Sequence, residues 1–177
     1  YQTPSGGWSK HMDFARGRRP HGTSFFSEND GWNFIATIDN NSTTEEIRFL
    51  ARAHQRTGDA RYRRAVDRGL AYLRAAQYPN GCWPQVYPLG GGYHDAATFN
   101  DDATVNVLSV LRELAPAHDS DAVKRGVEGI LAAQVVVAGQ RTIWGQQHDP
   151  LALAPVAARS YEHASLASRE SAGVVDF

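Results

Sequence analysis

Two stretches of this sequence decide the fold: "DNNSTTEEIRFL" at residues 39–50 and "NDDATVNVLSVL" at residues 100–111. Each begins with three residues that carry oxygen-bearing side chains. Each continues with apolar residues spaced three and four apart, which is typical of an amphipathic α-helix. One residue of a triplet is enough to cap the N-terminus of that helix. The sequence therefore raises the question of what the remaining oxygen-bearing side chains do.

The two stretches belong to a repeated unit. Asn41 and Asp102 are 61 residues apart, and so are Trp83 and Trp144. Each unit contains a polar triplet, a helix, a turn with an aspartate, a second helix and a loop with a tryptophan. The two turns are "TGDAR" at residues 57–61 and "AHDSDA" at residues 117–122. This order predicts consecutive helical hairpins, with Gly58 ending one helix and Asp59 capping the next.

A third unit is predicted to begin within "SLASRESAGVVDF", residues 165–177. The segment "PSGGWSKHMDF" ahead of the first unit is similar to "PNGCWPQVYPL" behind it, which supports the same periodicity. Hairpins in such an array bury their apolar faces against their neighbours. We therefore expect an all-α helical array or toroid that is incomplete at the C-terminus, the front part of a longer domain.

The composition limits the classes of partner. The chain has 177 residues, a formal net charge of -1 and 42% hydrophobic residues, which is typical of one soluble domain. This charge gives no reason to expect nucleic acid or an anionic membrane as a partner, and no apolar run reaches the length of a membrane helix. The first residues lack a signal-peptide pattern. The single cysteine, Cys82, excludes an intrachain disulfide and is expected to fill a turn.

The repeated triplets suggest a metal site. Because they occupy equivalent positions in two units, their side chains are expected at one rim of the helical array. Capping is the alternative explanation for each triplet taken alone. A group of hard oxygen donors suits Ca²⁺ better than Zn²⁺. We predict that the calcium ligands are Asp39, Asn100, Asp101 and Asp102.

The loops carry candidate residues for binding a sugar. Aromatic residues in glycine-rich loops could stack on a sugar ring, although packing of the loops is the alternative; they are Trp8, Trp83, Tyr93 and Trp144. Basic residues near these loops could neutralise an anionic ligand, although each alone could be a surface residue; they are Lys10, His94, His148 and Arg159.

Four segments together carry a family resemblance: "GGWSKHMD", "GWNFIATIDNNST", "QYPNGCWPQVYPLGGGYHDAATFNDDATVNVL" and "IWGQQHDPLALAPVAARSYEHASLASRESAGVVDF". They resemble polysaccharide lyase family 10, the pectate lyases with an (α/α)3-toroid catalytic domain. The resemblance extends over essentially the whole chain. It implies that residues 1–177 are the N-terminal part of one such domain.

The resemblance also implies a function. It implies Ca²⁺-dependent β-elimination of polygalacturonate, in which calcium acidifies the C5 proton of the uronate. The carboxylates of "TIDN" and "FNDDA" would lie near calcium and substrate, and Arg159 would bind a uronate carboxylate. The substrate-binding residues are expected to be Lys10, Asp39, Trp83, His94, His148 and Arg159. A pectin oligosaccharide is the expected partner of a monomeric protein that is secreted or periplasmic.

Differences from the family pattern leave alternatives open. Cys82 replaces an expected glycine and His11 an expected asparagine, and neither change should abolish binding. The arginine that acts as catalytic base in the family is expected beyond Phe177. One alternative is therefore an inactive calcium-dependent pectin-binding fragment. Another is a toroid glycoside hydrolase with Asp39 and Asp101 as acid and base. Only elimination would give a 4,5-unsaturated product.

Overall fold

The computed structural model describes residues 1–10, Ala15, residues 35–116 and residues 120–177. The expected departure at His11 and the aspartate of the second turn, Asp119, lie outside these ranges. The α-helices of the described part are α1 (Thr44–Thr57), α2 (Ala60–Ala75), α3 (Ala103–Leu114), α4 (Ser120–Ala133) and α5 (Ser168–Asp176). Helices are thus the main regular structure of the described residues, in agreement with the predicted class. None of these helices combines the length and apolarity that crossing a membrane requires.

Helices α1 and α2 form the first hairpin, and α3 and α4 form the second. Gly58 ends α1 in the left-handed conformation, with φ at 68° and its amide donating to the carbonyl of His54. Asp59 caps α2 by accepting a hydrogen bond of 2.8 Å from the amide of Arg61. Both features of this turn confirm the sequence prediction. The core is formed by the apolar faces of the helices, including the completely buried Ile47 and Leu73.

Short strands connect the loops to the beginning of each unit. They are β1 (Ala36–Thr37), β2 (Val86–Tyr87), β3 (Ala97–Thr98), β4 (Val136–Val137), β5 (Gln140–Arg141) and β6 (Gln147–His148). Strand β1 pairs with β2 and β3 pairs with β6, both antiparallel, whereas β4 and β5 form a separate hairpin. The β1–β2 and β3–β6 pairs are related by the 61-residue shift that the sequence predicts.

The start of the third unit is confirmed by a recurring hydrogen bond. The backbone carbonyl groups of three tryptophans each accept a hydrogen bond from a backbone N–H group. In each case this N–H group lies in the short segment that precedes the first helix of a unit. These bonds run from Thr37 to Trp8 (3.0 Å), from Thr98 to Trp83 (2.9 Å) and from Ala167 to Trp144 (2.7 Å). Helix α5 begins at Ser168, directly after the third of these amides. The third unit therefore has the strand contact of the first two but no polar triplet.

The tryptophans of the loops belong to the core, which supports packing of the loops over the alternative that these rings stack on a sugar. Trp8, Trp83 and Trp144 are at most 5% exposed. The indole of Trp83 donates to the carbonyl of Leu73, and the indole of Trp144 donates to that of Ile130, each at 2.7 Å. A buried indole needs such a partner for its N–H group. These side chains attach the loops to α2 and α4, and no ring surface remains for a ligand.

Gly81 tests this attachment, because its backbone has φ at +93° and an added Cβ would lie 1.9 Å from the carbonyl oxygen of Arg125 in α4. Gly139 is a matched control, with φ at +79° and no neighbouring atom within 4 Å of an added Cβ. Both alanine variants bear the cost of a left-handed backbone, but only Gly81→Ala creates a clash. We expect Gly81→Ala to lower the free energy of unfolding in urea by about 2 kcal/mol more than Gly139→Ala. Equal losses would contradict this packing.

Candidate functional site

A cleft of about 390 Å³ opens where the polar triplets of the first two units meet. The triplets contribute four of the lining residues: Asp39, Asn40, Asn100 and Asp101. The loops contribute the others: Lys10, Gln85, Tyr93, His94, Gln147 and Arg159. The structure thus brings together Lys10, Asp39, His94, Asn100, Asp101 and Arg159, all of which the sequence nominated. The cleft collects acidic and basic side chains from distant parts of the chain.

The backbone of the triplets explains why their side chains reach the cleft. Two consecutive residues of each triplet have positive φ: Asn40 and Asn41 at 48° and 63°, and Asp101 and Asp102 at 50° and 57°. Asparagine and aspartate adopt this left-handed conformation more readily than other residues with a Cβ. The N-cap of α1 is Thr43 and that of α3 is Asp102, and neither residue makes a side-chain capping hydrogen bond. Capping therefore does not account for the triplets.

The two triplets are joined through Asp101. Its Oδ2 accepts hydrogen bonds from the amide groups of Asn40 (3.1 Å) and Asn100 (2.9 Å). Its Oδ1 accepts none from the described residues. Burial and the negative charge of Asp39 raise the pKa of the Asp101 carboxyl. Asp101 therefore has one oxygen that is fixed by two hydrogen bonds and one oxygen that accepts none from the described residues. A cation bound nearby would stabilise its negative charge.

Asp39 is held by a buried ion pair. Its Oδ2 lies 2.7 Å from the Nζ of Lys10, and the two side chains are 8% and 10% exposed. The amide of Gln85 lies 3.4 Å from Oδ1, and the hydroxyl of Thr37 accepts the backbone N–H of Asp39. Removing one partner of such a pair leaves an uncompensated charge, which typically costs about 3–5 kcal/mol. Lys10 and Asp39 therefore fix each other's position at the cleft.

His94 enters the cleft next to an aromatic side chain. Its backbone carbonyl accepts a hydrogen bond from the backbone N–H of Gln85. The centre of its ring lies 3.7 Å from the centre of the Tyr93 ring. Burial lowers the pKa of His94, and the positive charges of Lys10 and Arg159 lower it further. The imidazole is therefore neutral at neutral pH. In that form it can both donate and accept a hydrogen bond.

Arg159 is oriented by Glu162. The Nε of Arg159 donates to Oε2 of Glu162 at 2.7 Å, while its Nη2 donates to Oε1. The guanidinium lies 5.0 Å from the centre of the Tyr161 ring. The ion pair raises the pKa of Arg159 and lowers that of Glu162. No described residue accepts a hydrogen bond from Nη1, so one side of the guanidinium is available to an anion.

Three nominated residues do not reach the cleft. Trp83 is a core residue, as described above. His148 is completely buried: its Nε2 accepts the amide of Gly145 and its Nδ1 donates to the carbonyl of Leu153. Both nitrogens hold the loop together, so the predicted substrate contacts of Trp83 and His148 are wrong. The carboxylate of Asp102 lies against Gly173 of α5 and does not line the cleft, and its buried Oδ1 has no hydrogen-bond partner among the described residues.

The described ranges contain no group of three His, Cys, Asp or Glu side chains that could by themselves hold a metal ion. The oxygen donors of the cleft are two carboxylates, Asp39 and Asp101, and the side-chain amides of Asn40 and Asn100. Such a set would need further oxygens, from a ligand or from water, to complete the six to eight that Ca²⁺ takes.

Sequence reasoning missed the glutamines that line the cleft or contact its triplets. Gln85 follows Trp83 by two residues, and Gln146 follows Trp144 by two. The amide of Gln85 contacts Asp39, and the amide of Gln146 donates to Asn100 at 3.3 Å. The shared pattern Trp-x-Gln was therefore an available signal that a glutamine supports each triplet. No comparable sequence signal marks Gln147 or Glu162.

The titration of His94 tests the electrostatics of the cleft. Because burial and nearby positive charge lower its pKa, the C2 proton should titrate below 6.5 in nuclear magnetic resonance spectra. Lys10→Met removes a positive charge and leaves Asp39 unpaired, so the midpoint should rise. A midpoint that is unchanged in Lys10→Met would show that Lys10 does not act on His94.

Comparisons with known proteins agree with this geometry. The pectic acid lyase family matches residues 2–177. A solved structure of a family 10 polysaccharide lyase from Cellvibrio cellulosa is 36% identical, with a TM-score of 0.85 over 99% of this chain and 56% of that chain. A mutant of that lyase in complex with trigalacturonic acid gives the same identity and TM-score, over 99% of this chain and 57% of that one.

The curated proteins gave no match. The chain spans little more than half the length of the solved lyases that it matches. The family match and the two structural matches nevertheless cover nearly all of its residues. The chain belongs to the pectic acid lyase family.

Proposed function

We propose that this protein is a pectate lyase that cleaves polygalacturonate by calcium-dependent β-elimination. The observation that carries the proposal is the cleft that combines the carboxylates of Asp39 and Asp101 with Lys10 and Arg159. The complex of a related lyase with trigalacturonic acid supports an oligogalacturonate as the ligand. Both signs of charge are useful, because a polyuronate needs cationic partners and a metal ion needs anionic ones.

The chemistry of elimination explains these requirements. The proton on C5 of a galacturonate lies next to a carboxylate and is too weakly acidic to leave unaided. Charge that develops on this carboxylate must be stabilised in the transition state. The free side of the Arg159 guanidinium can bind the carboxylate, since planar N–H groups match its two oxygens. Glu162 would hold Arg159 in one orientation while it does so.

The proposed ligands of the cleft fit a calcium ion. They offer carboxylate and amide oxygens, as Ca²⁺ prefers, and the Oδ1 of Asp101 accepts no hydrogen bond from the described residues. The raised pKa of Asp101 reflects burial and repulsion from Asp39, and a cation would offset that repulsion. When bound, calcium would supply positive charge beside the uronate carboxylate. We propose Asp39, Asn100 and Asp101 as ligands, and leave out Asp102 because its carboxylate lies against α5.

The base that removes the C5 proton is proposed to lie after Phe177, as the family resemblance implies. The basic side chains of the cleft have other roles, since Lys10 is bound to Asp39 and Arg159 to Glu162. The match to little more than half of the related lyases supports this division. Residues 1–177 would then supply the calcium and much of the uronate-binding surface, as the N-terminal part of one catalytic domain.

The repeat supports a toroid as the complete architecture. Helix α3 covers one side of α1, where Arg48 pairs with Glu113 at 3.2 Å. On α3, Val110 is completely buried, whereas its equivalent on α1, Phe49, is 62% exposed. Phe49 lines a groove on α1 together with Glu45 and Arg52. The 61-residue shift makes Glu45 the equivalent of Asn106 on α3, and Arg52 the equivalent of Glu113. We propose that another helical unit covers this groove and helps to close an (α/α)3 toroid.

A secreted or periplasmic location is part of the proposal, because an enzyme that degrades pectin must meet a polymer outside the cytoplasm. We expect the protein to act as a monomer on pectin oligosaccharides.

The glycoside hydrolase alternative has little support. It needs Asp39 as an acid or a base, but Asp39 is bound to Lys10, and the family is one of lyases. The pectin-binding alternative differs from the proposal only in catalysis.

Asp101→Asn tests the proposal in the full-length protein. The asparagine carbonyl can still accept hydrogen bonds from Asn40 and Asn100, but the negative charge is lost. We expect calcium-dependent formation of the ultraviolet-absorbing unsaturated product to fall by about 100-fold, with little change in circular dichroism. The control is Asp149→Asn, at an exposed position that binds the amides of Leu151 and Ala152.

Two results would count against the proposal. Wild-type activity of Asp101→Asn at saturating calcium would show that this carboxylate has no role in calcium binding or catalysis. Binding of trigalacturonate by the full-length wild type without any unsaturated product would favour the pectin-binding alternative. A chelator should abolish product formation by the wild type, and product that forms equally well in its presence would exclude calcium.

A further inference from the structure

Gln147 is a buried residue of the cleft whose side chain has no hydrogen-bond partner among the described residues. It is 4% exposed, and its Oε1 is completely buried without a hydrogen bond. Its amide nitrogen makes no hydrogen bond to any described residue either. The other glutamines at the cleft differ, because Gln85 contacts Asp39 and Gln146 donates to Asn100 and Glu170. Leaving a buried polar group unpaired destabilises the folded protein.

The fold does not require an amide at this position. Gln147 lies in β6, where it is held by its backbone: it pairs with Thr98 of β3, and its carbonyl accepts the amide of Val156. The 61-residue shift places Gln147 on Val86 of β2, which pairs in the same way with Thr37. Val86 is 2% exposed. The equivalent position therefore accommodates an apolar side chain. The amide of Gln147 destabilises the fold and makes no structural contact that would offset this effect.

The chemistry of a primary amide indicates its ligand. An amide both donates and accepts hydrogen bonds, as does a hydroxyl group, whereas a carboxylate only accepts them. The carboxylate of a bound uronate already has Arg159 as its partner in the proposed function. In a 1,4-linked galacturonan, the free hydroxyls of an internal residue are those on C2 and C3. A hydroxyl that reaches Gln147 would complete the hydrogen bonds that the protein leaves unmade.

Resting on the proposed function, we propose that Gln147 binds the C2 or C3 hydroxyl of a galacturonate residue in the cleft. It is thereby a specificity-determining residue that favours galacturonate whose hydroxyls are free. Substitution of these hydroxyls with acetyl groups removes the donor and adds bulk at a side chain that is 96% enclosed by protein, since only 4% of Gln147 is exposed. The cleft should accordingly discriminate against acetylated substrate, and the discrimination should depend on this amide.

Gln147→Leu is the test, with trigalacturonate and its O-acetylated form as probes. Calorimetric titration of the full-length protein in calcium should show that the variant binds trigalacturonate about five- to tenfold more weakly than the wild type. The wild type should bind the acetylated probe more weakly than the free one, and the variant should lose most of this difference. The free energy of unfolding without ligand should be unchanged or higher, because an unpaired amide has been removed.

A matched control and a second variant make the result decisive. Gln134→Leu removes a glutamine whose amide donates to Thr142 at 2.7 Å and which does not line the cleft, so sugar binding should not change. Gln147→Met keeps the length of the side chain without its hydrogen bonds and should behave like Gln147→Leu.

If both variants retain the affinity and the discrimination of the wild type, the proposal is wrong. It is also wrong if both unfold more easily than the wild type, because the amide would then be structural. Failure of the wild type itself to bind trigalacturonate would instead contradict the proposed function.

Discussion

The constraint on which the site depends is a pair of left-handed residues immediately ahead of α1 and again ahead of α3. Asn40 and Asp101 are the first residues of these pairs, with φ at 48° and 50°. The reversal of the backbone directs their side chains to each other instead of to the helix ends, and they form a hydrogen bond of 3.1 Å. Only residues that tolerate positive φ fit these positions, which explains why asparagine and aspartate recur there. The third unit lacks the pair, and its helix begins without contributing oxygens to the cleft.

The cleft acquires its two signs of charge from different parts of the architecture. The carboxylates come from the repeated helix starts, so their separation is set by the packing of one hairpin on the next. The cations come from loops: Lys10 is fixed by Asp39, and Arg159 by Glu162. Each cation is thus oriented by a carboxylate before any ligand arrives, which reduces the cost of ordering it on binding. In the proposed reaction, this arrangement would hold a uronate between calcium and a guanidinium.

The repeat made much of this structure predictable, because one shift of 61 residues relates the helices, the strand pairs and the triplets. The resemblance of the "PSGGW" and "PNGCW" segments also holds, since Gly6 and Gly81 each lie against a helix carbonyl, of Arg68 and Arg125 respectively. Burial of the tryptophans could not be predicted from the loops that contain them. It depends on glycines in the facing helices, such as Gly126, which leaves room for the ring of Trp83. The position of the Asp102 carboxylate depends on α5, which packs against it. The sequence also gives no sign that the amide of Gln147 has no partner among the described residues, because this depends on the packing around it.

The most direct test of the account is a crystal structure of the full-length protein with trigalacturonate and a calcium-like ion that scatters anomalously. The account predicts an anomalous peak bonded to the carboxylate of Asp101, with a uronate carboxylate bound to both the ion and Arg159. A peak at Asp102, or a trigalacturonate bound in the cleft without any ion at Asp101, would contradict the claim that the two repeated triplets exist to bring calcium and substrate together.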